Sequence, residues 1–384
     1  MIIDLGWFFA ALSGVGLLYT IVAAVLVEQF FIRRPRLASS DLASKGGVTL
    51  VKPLHGAEPG LRENLETFLR QDISLPIEIV FGAQHPNDSA LPLVEALIAD
   101  RVETPVSEAR ICLDDSQHGY NRKVSNVINI SAQVSGEVLV LSDSDIGVPP
   151  DYLTRVLEWL AEPGVGVVTC PYVGKAEGGF WAEFTAMGQS YSFLPNVVAG
   201  VSLGLADPCM GSTVALRRET LERIGGFRVF RDALADDYAI GAAVRTLGLK
   251  SVVAPILVSH SCAETTFGKV FAHELRWAKT VKGLDPAGHA GSIITHPFPL
   301  AALAALLLGF PPGVMILLGS TLIARAALMS AVDRAARRRL GPWLLAPMRD
   351  LVSFAVFLAS FLGRDVVWRD AKFHVSTNGE MIPQ

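Results

Sequence analysis

Two long stretches without a charged residue, one toward each end of the chain, constrain the fold more than anything between them. They are Leu5–Val27 and Pro297–Ala324. As a helix rising about 1.5 Å per residue, the first reaches roughly 35 Å, enough to cross the hydrocarbon core of a bilayer. A cleaved secretory signal is the competing reading. Its leading region would be basic, yet the only charged side chain before this run is Asp4. The run also exceeds the roughly 7–15 apolar residues of a signal core. An uncleaved anchor is expected. Arg33, Arg34 and Arg36 follow it, and positive residues collect on the cytoplasmic side, so the N-terminus is expected outside and the following domain in the cytoplasm.

Pro297–Ala324 contains Pro311-Pro312, a pair that ends or kinks a helix, so a hairpin of two short helices and one long tilted span both fit. Arg334, Arg337, Arg338 and Arg339 again point to the cytoplasm. A last apolar piece, Leu351–Gly363, follows Arg349-Asp350; it is too short to span alone and is expected in the interface. Composition agrees with membrane segments: 51% of residues are hydrophobic and 18% charged, with mean hydropathy +0.40. The net charge of −4 excludes the basic footprint of a nucleic-acid binder. Cys112, Cys170, Cys209 and Cys262 form no CxxC pair and have no His at zinc spacing. They read as buried thiols in a reducing compartment.

From about residue 46 to 290 the pattern changes. VTLVKPL (48–54), IEIVFGA (77–83), ARICLDD (109–115), EVLVLSDSD (137–145) and GVGVVTC (164–170) read as buried strands. Helix-like stretches, Pro59–Arg70, Leu91–Ala99 and Lys123–Val134, lie between several of them. This alternation predicts an α/β domain with a parallel sheet covered on both faces, and ligands beyond the carboxyl ends of its strands. The expected division is an anchor over 1–36, a catalytic domain over 37–292, and membrane-associated helices with a tail over 293–384.

Three polar clusters fall where chemistry is expected. Asp143 and Asp145 end the strand EVLVL; carboxylates at i and i+2 of a loop reach one hard divalent cation, and a turn leading into the next helix is the plainer alternative. Asp236 and Asp237 open a predicted helix reaching about Leu247. They suit its first turn as capping residues, and adjacent carboxylates also push one pKa upward, as proton abstraction requires. Arg276 and Trp277 lie in a helix predicted over Phe267–Lys282, a guanidinium fork for phosphate beside a flat face for sugar or lipid. Lys123, in HGYNRKVSN (118–126), can pair with a phosphate or simply face solvent. His55, His260 and His289 have no metal-ligand spacing, and Gly178-Gly179 and Gly225-Gly226 read as turns.

Five motifs occur in order: KPLHGAEPGLRENLETF (52–68), DSD (143–145), PCMGSTVALRRETLERIGGF (208–227), ADDY (235–238) and HELRWAKT (273–280). Together they resemble the ceramide-glucosyltransferase family, which has a GT-A fold and ends its acidic motifs in a (Q/R)xxRW element. NRKVSN (121–126), LADDYAIG (234–241) and RDLVSFAVFLASFLG (349–363) are especially similar to the bacterial branch that glycosylates hopanoids. The resemblance covers about residues 46 to 372. It implies a metal and diphosphate site at Asp143 and Asp145, and a general base at Asp237 with Asp236 beside it. It also implies contacts to diphosphate and acceptor from Arg276 and Trp277, and places Lys52 and Lys123 near the nucleotide or its phosphates. Two departures stand out. The family's first acid directly follows a strand, where this chain reads Gln84-His85-Pro86-Asn87-Asp88, leaving Asp88 as the substitute. The last motif opens on His273.

What the resemblance implies is an inverting glycosyltransferase of the bacterial inner membrane, its catalytic domain cytoplasmic. Its cofactor is a divalent cation, Mg²⁺ or Mn²⁺; its partners are a UDP-sugar, a membrane lipid and the bilayer. The expected reaction moves N-acetylglucosamine to a polyhydroxylated hopanoid, with glucose to ceramide as the alternative. A processive polysaccharide synthase would need a channel of many helices, and an inactive scaffold would have lost one of the motifs.

Overall fold

The computed structural model describes residues 1–35, 47–100 and 104–363, together with the backbone of 365–368, 371–375 and 381–383. Arg36, one of the expected cytoplasmic arginines, lies outside the described residues. The chain divides into two compact units. One comprises Arg33–Val173 and Gly204–Ser261; the other comprises Met1–Ile32, Gly174–Leu203 and Cys262–Gln384.

The first unit is α/β. In chain order after helix α1 (Ile2–Phe31) come β1 (Val48–Pro53), α2 (Leu61–Leu69), β2 (Ile77–Ala83), α3 (Leu91–Ala99), β3 (Val106–Leu113), α4 (Arg122–Ser131) and β4 (Val138–Leu141). Then follow β5 (Ile146–Gly147), α5 (Tyr152–Ala161), β6 (Val165–Thr169) and β7 (Tyr172–Ala176). After α6 (Phe180–Gly188) and α7 (Leu194–Ser202) the chain continues with β8 (Val214–Arg217), α8 (Arg218–Arg223), α9 (Asp236–Thr246), β9 (Lys250–Val253) and β10 (Val258–Cys262). Seven strands form one sheet in the order β3-β2-β1-β4-β8-β6-β9. β1 is buried along its whole length, and it pairs in parallel with β2 and β4, Leu50 opposite Ile79 and Val140. Such strands read as continuous apolar runs because helices cover both faces.

The sheet is mostly parallel, as expected from the sequence, with one exception: β8 runs antiparallel to both β4 and β6. β3 ends at Leu113, so Asp114 and Asp115 belong to the following loop rather than the strand. β4 ends at Leu141, so the whole Ser142–Asp145 segment is loop. Gly82 lets α4 lie close on β2: a Cβ there would meet Asn126 and Ile130, and Asn126 Nδ2 donates to the Gly82 carbonyl at 2.8 Å. A smaller sheet has the order β5-β10-β7, with Ser259 opposite Gly147 and His260 opposite Ile146.

The second unit is helical. It contains α1, then α6 and α7 joined by a π-helix over Gln189–Phe193. Further along the chain are α10 (Phe267–Leu284), α11 (Pro286–Gly291), α12 (Pro297–Leu308), α13 (Pro312–Ala336) and α14 (Ala346–Ser360). An antiparallel three-stranded sheet follows: β11 (Asp365–Trp368), β12 (Ala371–Val375) and β13 (Met381–Pro383). α1 packs on α12 and α13 through small residues. A Cβ at Gly6 would sit 2.6 Å from Leu308 Cγ, and one at Gly16 would collide with the Ile294 carbonyl. Ser13 Oγ donates to the Pro297 carbonyl at 2.9 Å, and Ala10 is buried with Ala304, Ala305 and Val314. Small residues let backbones approach where lipid gives no hydrophobic drive between helices.

Gly309, at φ 73°, ends α12, and Pro312 begins α13, so the second charge-free stretch is two helices rather than one span. Among the described residues three helical stretches are long and apolar enough to cross a membrane: Ile2–Phe31, Pro312–Ala336 and Trp343–Ser360. A bent pair, Pro286–Thr295 with Pro297–Leu308, makes four if it counts as one span. The last stretch is longer than the sequence suggested, because the helix runs through Arg349-Asp350. Those charges are neutralised within the unit, Arg349 by Glu274 and Asp350 by Arg325 at 2.6 Å.

Candidate active site

The loop after β4 carries Asp143 and Asp145 past the carboxyl end of the strand. Its backbone is held from below by Lys52 of β1, a side chain with no exposed surface. The Lys52 ammonium donates to the Asp143 carbonyl at 2.7 Å and to Ser142 Oγ at 3.3 Å, and lies 3.7 Å from the Phe68 ring centroid. Burial pulls its pKa down to about 7, against the upward pull of Asp143 and Asp145. The expected nucleotide contact is thus turned inward, supporting the loop.

Lys123 is the hub of the cluster. Asn121 caps α4, its Oδ1 accepting from the Val124 amide at 3.1 Å, which leaves Lys123 in the first turn. Its ammonium meets Asp143 Oδ1 at 2.7 Å and Asp236 Oδ2 at 3.3 Å. Burial works to lower the Lys123 pKa, but Asp143, Asp236 and Asp237 outweigh it and hold it above the usual value. The surface reading of Lys123 therefore gives way to a cation shared by two motifs far apart in sequence.

Ala235 is the cap of α9, so both acids of ADDY occupy its first turn. Asp236 is committed to Lys123 and to Asn121, whose Nδ2 approaches Oδ1 at 3.4 Å. Asp237 Oδ2 accepts from the Gly211 amide and Oδ1 from the Tyr238 amide, each at 2.7 Å. Burial, and then the charge of Asp236, push the Asp237 pKa up to about 6. A carboxylate titrating there is suited to accept a proton near neutral pH.

Asp145 pairs with His260 of β10 at 3.2 Å, and that ring stacks on Tyr172. Burial acts to raise the Asp145 pKa, yet His260, Lys52 and Lys123 bring it below the ordinary carboxylate value; Asp143, by contrast, is raised by burial and by Asp145. Glu58 accepts from Ser144 Oγ at 3.1 Å, and its pKa is lifted to about 7 by burial and by Asp145. Among the described residues no three His, Cys, Asp or Glu side chains are gathered as a metal-binding group. The two carboxylates still suit a hard cation that takes its other ligands from a substrate's phosphates, and buried Asp145 Oδ1 has no hydrogen-bond partner.

Asp88 stands apart from this cluster in its bonding: its Oδ1 accepts from the Gly56 and Ala90 amides, both at 2.9 Å, tying the β1–α2 loop to the start of α3. Arg276 and Trp277 belong to α10 of the helical unit, where Trp277 packs edge-on against His273 and beside Phe193. Sequence reasoning missed Gly211, Glu58 and His260. Gly211 lay inside a quoted motif, PCMGS, but nothing local marks it. The Asp143 amide donates to its carbonyl at 3.2 Å and its own amide donates to Asp237, so it joins the two acidic motifs.

A mostly parallel sheet of this order with an Asp-x-Asp loop beyond a central strand, in a chain that also carries long apolar helices, defines a membrane glycosyltransferase of the GT-A class. The fold is shared with the mannosyltransferase PcManGT of Pyrobaculum calidifontis, solved with GDP-Man and Mn²⁺, at TM-score 0.51 and 21% identity over 94% of this chain and 99% of that one. Residues 8–381 match Glycosyl transferase family 21, and the chain belongs to that family. Two relatives in Caenorhabditis elegans are ceramide glucosyltransferase 1, 24% identical over 87% of this chain and 73% of its own length, and ceramide glucosyltransferase 3, 24% identical over 89% and 75%.

Proposed function

We propose that the chain transfers glucose, with inversion, from a UDP donor to a hydroxyl of a ceramide-class membrane lipid. The observation that carries the reaction is the convergence of Asp143, Asp236 and Asp237 around Lys123. The relatives' names support the choice of sugar and acceptor. Asp237 takes the proton of the acceptor hydroxyl. The freed oxygen forms a bond to the anomeric carbon as the bond from that carbon to the diphosphate breaks, and UDP leaves with the electron pair. Asp236 keeps Lys123 in place, and Lys123 offers its positive charge on the diphosphate side. Lys52 positions the loop from beneath, and Asp88 shapes the loop before α2. Arg276 and Trp277 are assigned to the diphosphate and the acceptor.

Asp143 and Asp145 would hold Mg²⁺ or Mn²⁺, which when bound neutralises charge on the leaving diphosphate. Residues 1–36 act as an anchor, 37–292 as the catalytic domain and 293–384 as membrane helices with a tail, the catalytic domain facing the cytoplasm from the inner membrane. Fixing the site at the bilayer removes much of the positioning entropy for a lipid acceptor. A second reading, N-acetylglucosamine to a polyhydroxylated hopanoid, is favoured by the likeness of NRKVSN and LADDYAIG to the bacterial branch.

The deciding experiment incubates purified protein in detergent with Mg²⁺, either UDP-sugar and either lipid, and reads the lipids by mass spectrometry. A hexose on ceramide is the expected product. An N-acetylhexosamine on the hopanoid selects the second reading, and no adduct with any pair sinks both.

A further inference from the structure

The helical unit contains a partly open cavity of about 200 Å³ whose lining comes entirely from that unit. Arg349 of α14 lines it and is only 3% exposed. One guanidinium nitrogen, Nη2, is bound to Glu274 of α10. The group lies 5.0 Å from the Phe184 ring centroid and against Gly188, where any Cβ would collide with Nη2. Nε and Nη1 have no hydrogen-bond partner. A buried guanidinium with two unmet donors is costly, and native folds seldom leave one without a ligand or water. Ionisable groups in membrane helices mark sites of function more often than of stability.

A second observation concerns another wall. Gln189, Ser192 and Phe193 line the cavity from the π-helix. Such a turn leaves the regular α ladder, is rare, and is frequently found at functional sites. Trp277, Val356 and Phe357 make further lining apolar.

We propose that this cavity seats the polar head of the acceptor lipid, a carbonyl or hydroxyl oxygen accepting from Arg349. The inference rests on the lipid-acceptor reading above and adds the site and its polarity. Charge selects a neutral head. Glu274 already balances Arg349, and Asp350 balances Arg325 of α13, so no net positive charge is left for a phosphate. An uncharged oxygen satisfies the free donors, and the aromatic and aliphatic lining suits the first carbons of the chains.

The test uses the full-length protein in nanodiscs of phosphatidylcholine. A ceramide carrying a photoreactive diazirine in its acyl chain is crosslinked, and the labelled peptides are mapped. Labels on α10 and α14, competed away by plain ceramide and not by phosphatidylglycerol, support the site. Labels elsewhere, or equal competition by the anionic lipid, overturn it. In parallel, Ser353→Phe fills the cavity and Gly188→Ala displaces Arg349. Both should raise KM for the acceptor by about tenfold while KM for the donor stays within about twofold. An unchanged acceptor KM in both variants overturns the proposal. If no lipid is glycosylated by the wild type but the crosslinks hold, the proposed reaction falls and the lipid site stands. If transfer proceeds while labels map elsewhere, the cavity falls alone.

Discussion

Gly211 shows how much of the site depends on a residue with no side chain. A Cβ there would lie 2.6 Å from Asp143 Oδ2 and 3.2 Å from Lys123 Nζ. Gly211→Ala should therefore push Asp143 off Lys123 and lower kcat by about 10²-fold, the scale on which misplacement of about 1 Å acts; steady-state kinetics beside a melting curve separates this from unfolding. Asp237→Asn keeps the shape and an oxygen for the Gly211 amide but removes the base, so kcat should fall by about 10²–10⁴. Near-normal turnover would end the base assignment. As the proposed base, Asp237 would act deprotonated; with its pKa pushed up to about 6, kcat/KM should climb as pH rises through about 6 and level off above it. Asp143, Asp145, Asp236 and Asp237 were legible in the sequence because acids beside strand and helix ends are visible locally. Their sharing of Lys123 was not, nor were His260 and Glu58, because those pairings form only when β4, α4, α9 and β10 are brought together by the fold.

Among elements, short helices bounded by polar turns were the most legible: Leu91–Ala99 was read to the residue. β8 was missed because Val214–Arg217 is short and its partners β4 and β6 lie far away in sequence. α14 was read too short because a charge pair at its start looked like a boundary, when Glu274 and Arg325 neutralise it. The π-helix has no signature that periodicity detects. The packing of α1 is likewise invisible locally, yet it makes a sharp prediction. Gly16→Val drives a side chain into the Ile294 carbonyl and should destabilise the helical unit by about 1–3 kcal/mol, seen as a lower melting temperature in detergent.

On the scale of the whole molecule, each unit is assembled from separated stretches of chain. Besides α1, Pro312–Ala336 and Trp343–Ser360 are also long and apolar enough to span a membrane. A chain lacking residues 1–31 should still pellet with membranes after alkaline carbonate washing; release into the supernatant would show that α1 is the sole anchor. The contact of α1 with α12 carries a consequence for biosynthesis. α1 is synthesised well before the segment that fits its glycines, which runs from Ile294 to Leu308. At about 5–20 residues per second, that leaves α1 without its partner for tens of seconds. A nascent chain stalled before Ile294 would present those bare glycines to the lipid and to quality-control proteases, so only a ribosome that passes that point completes the bundle.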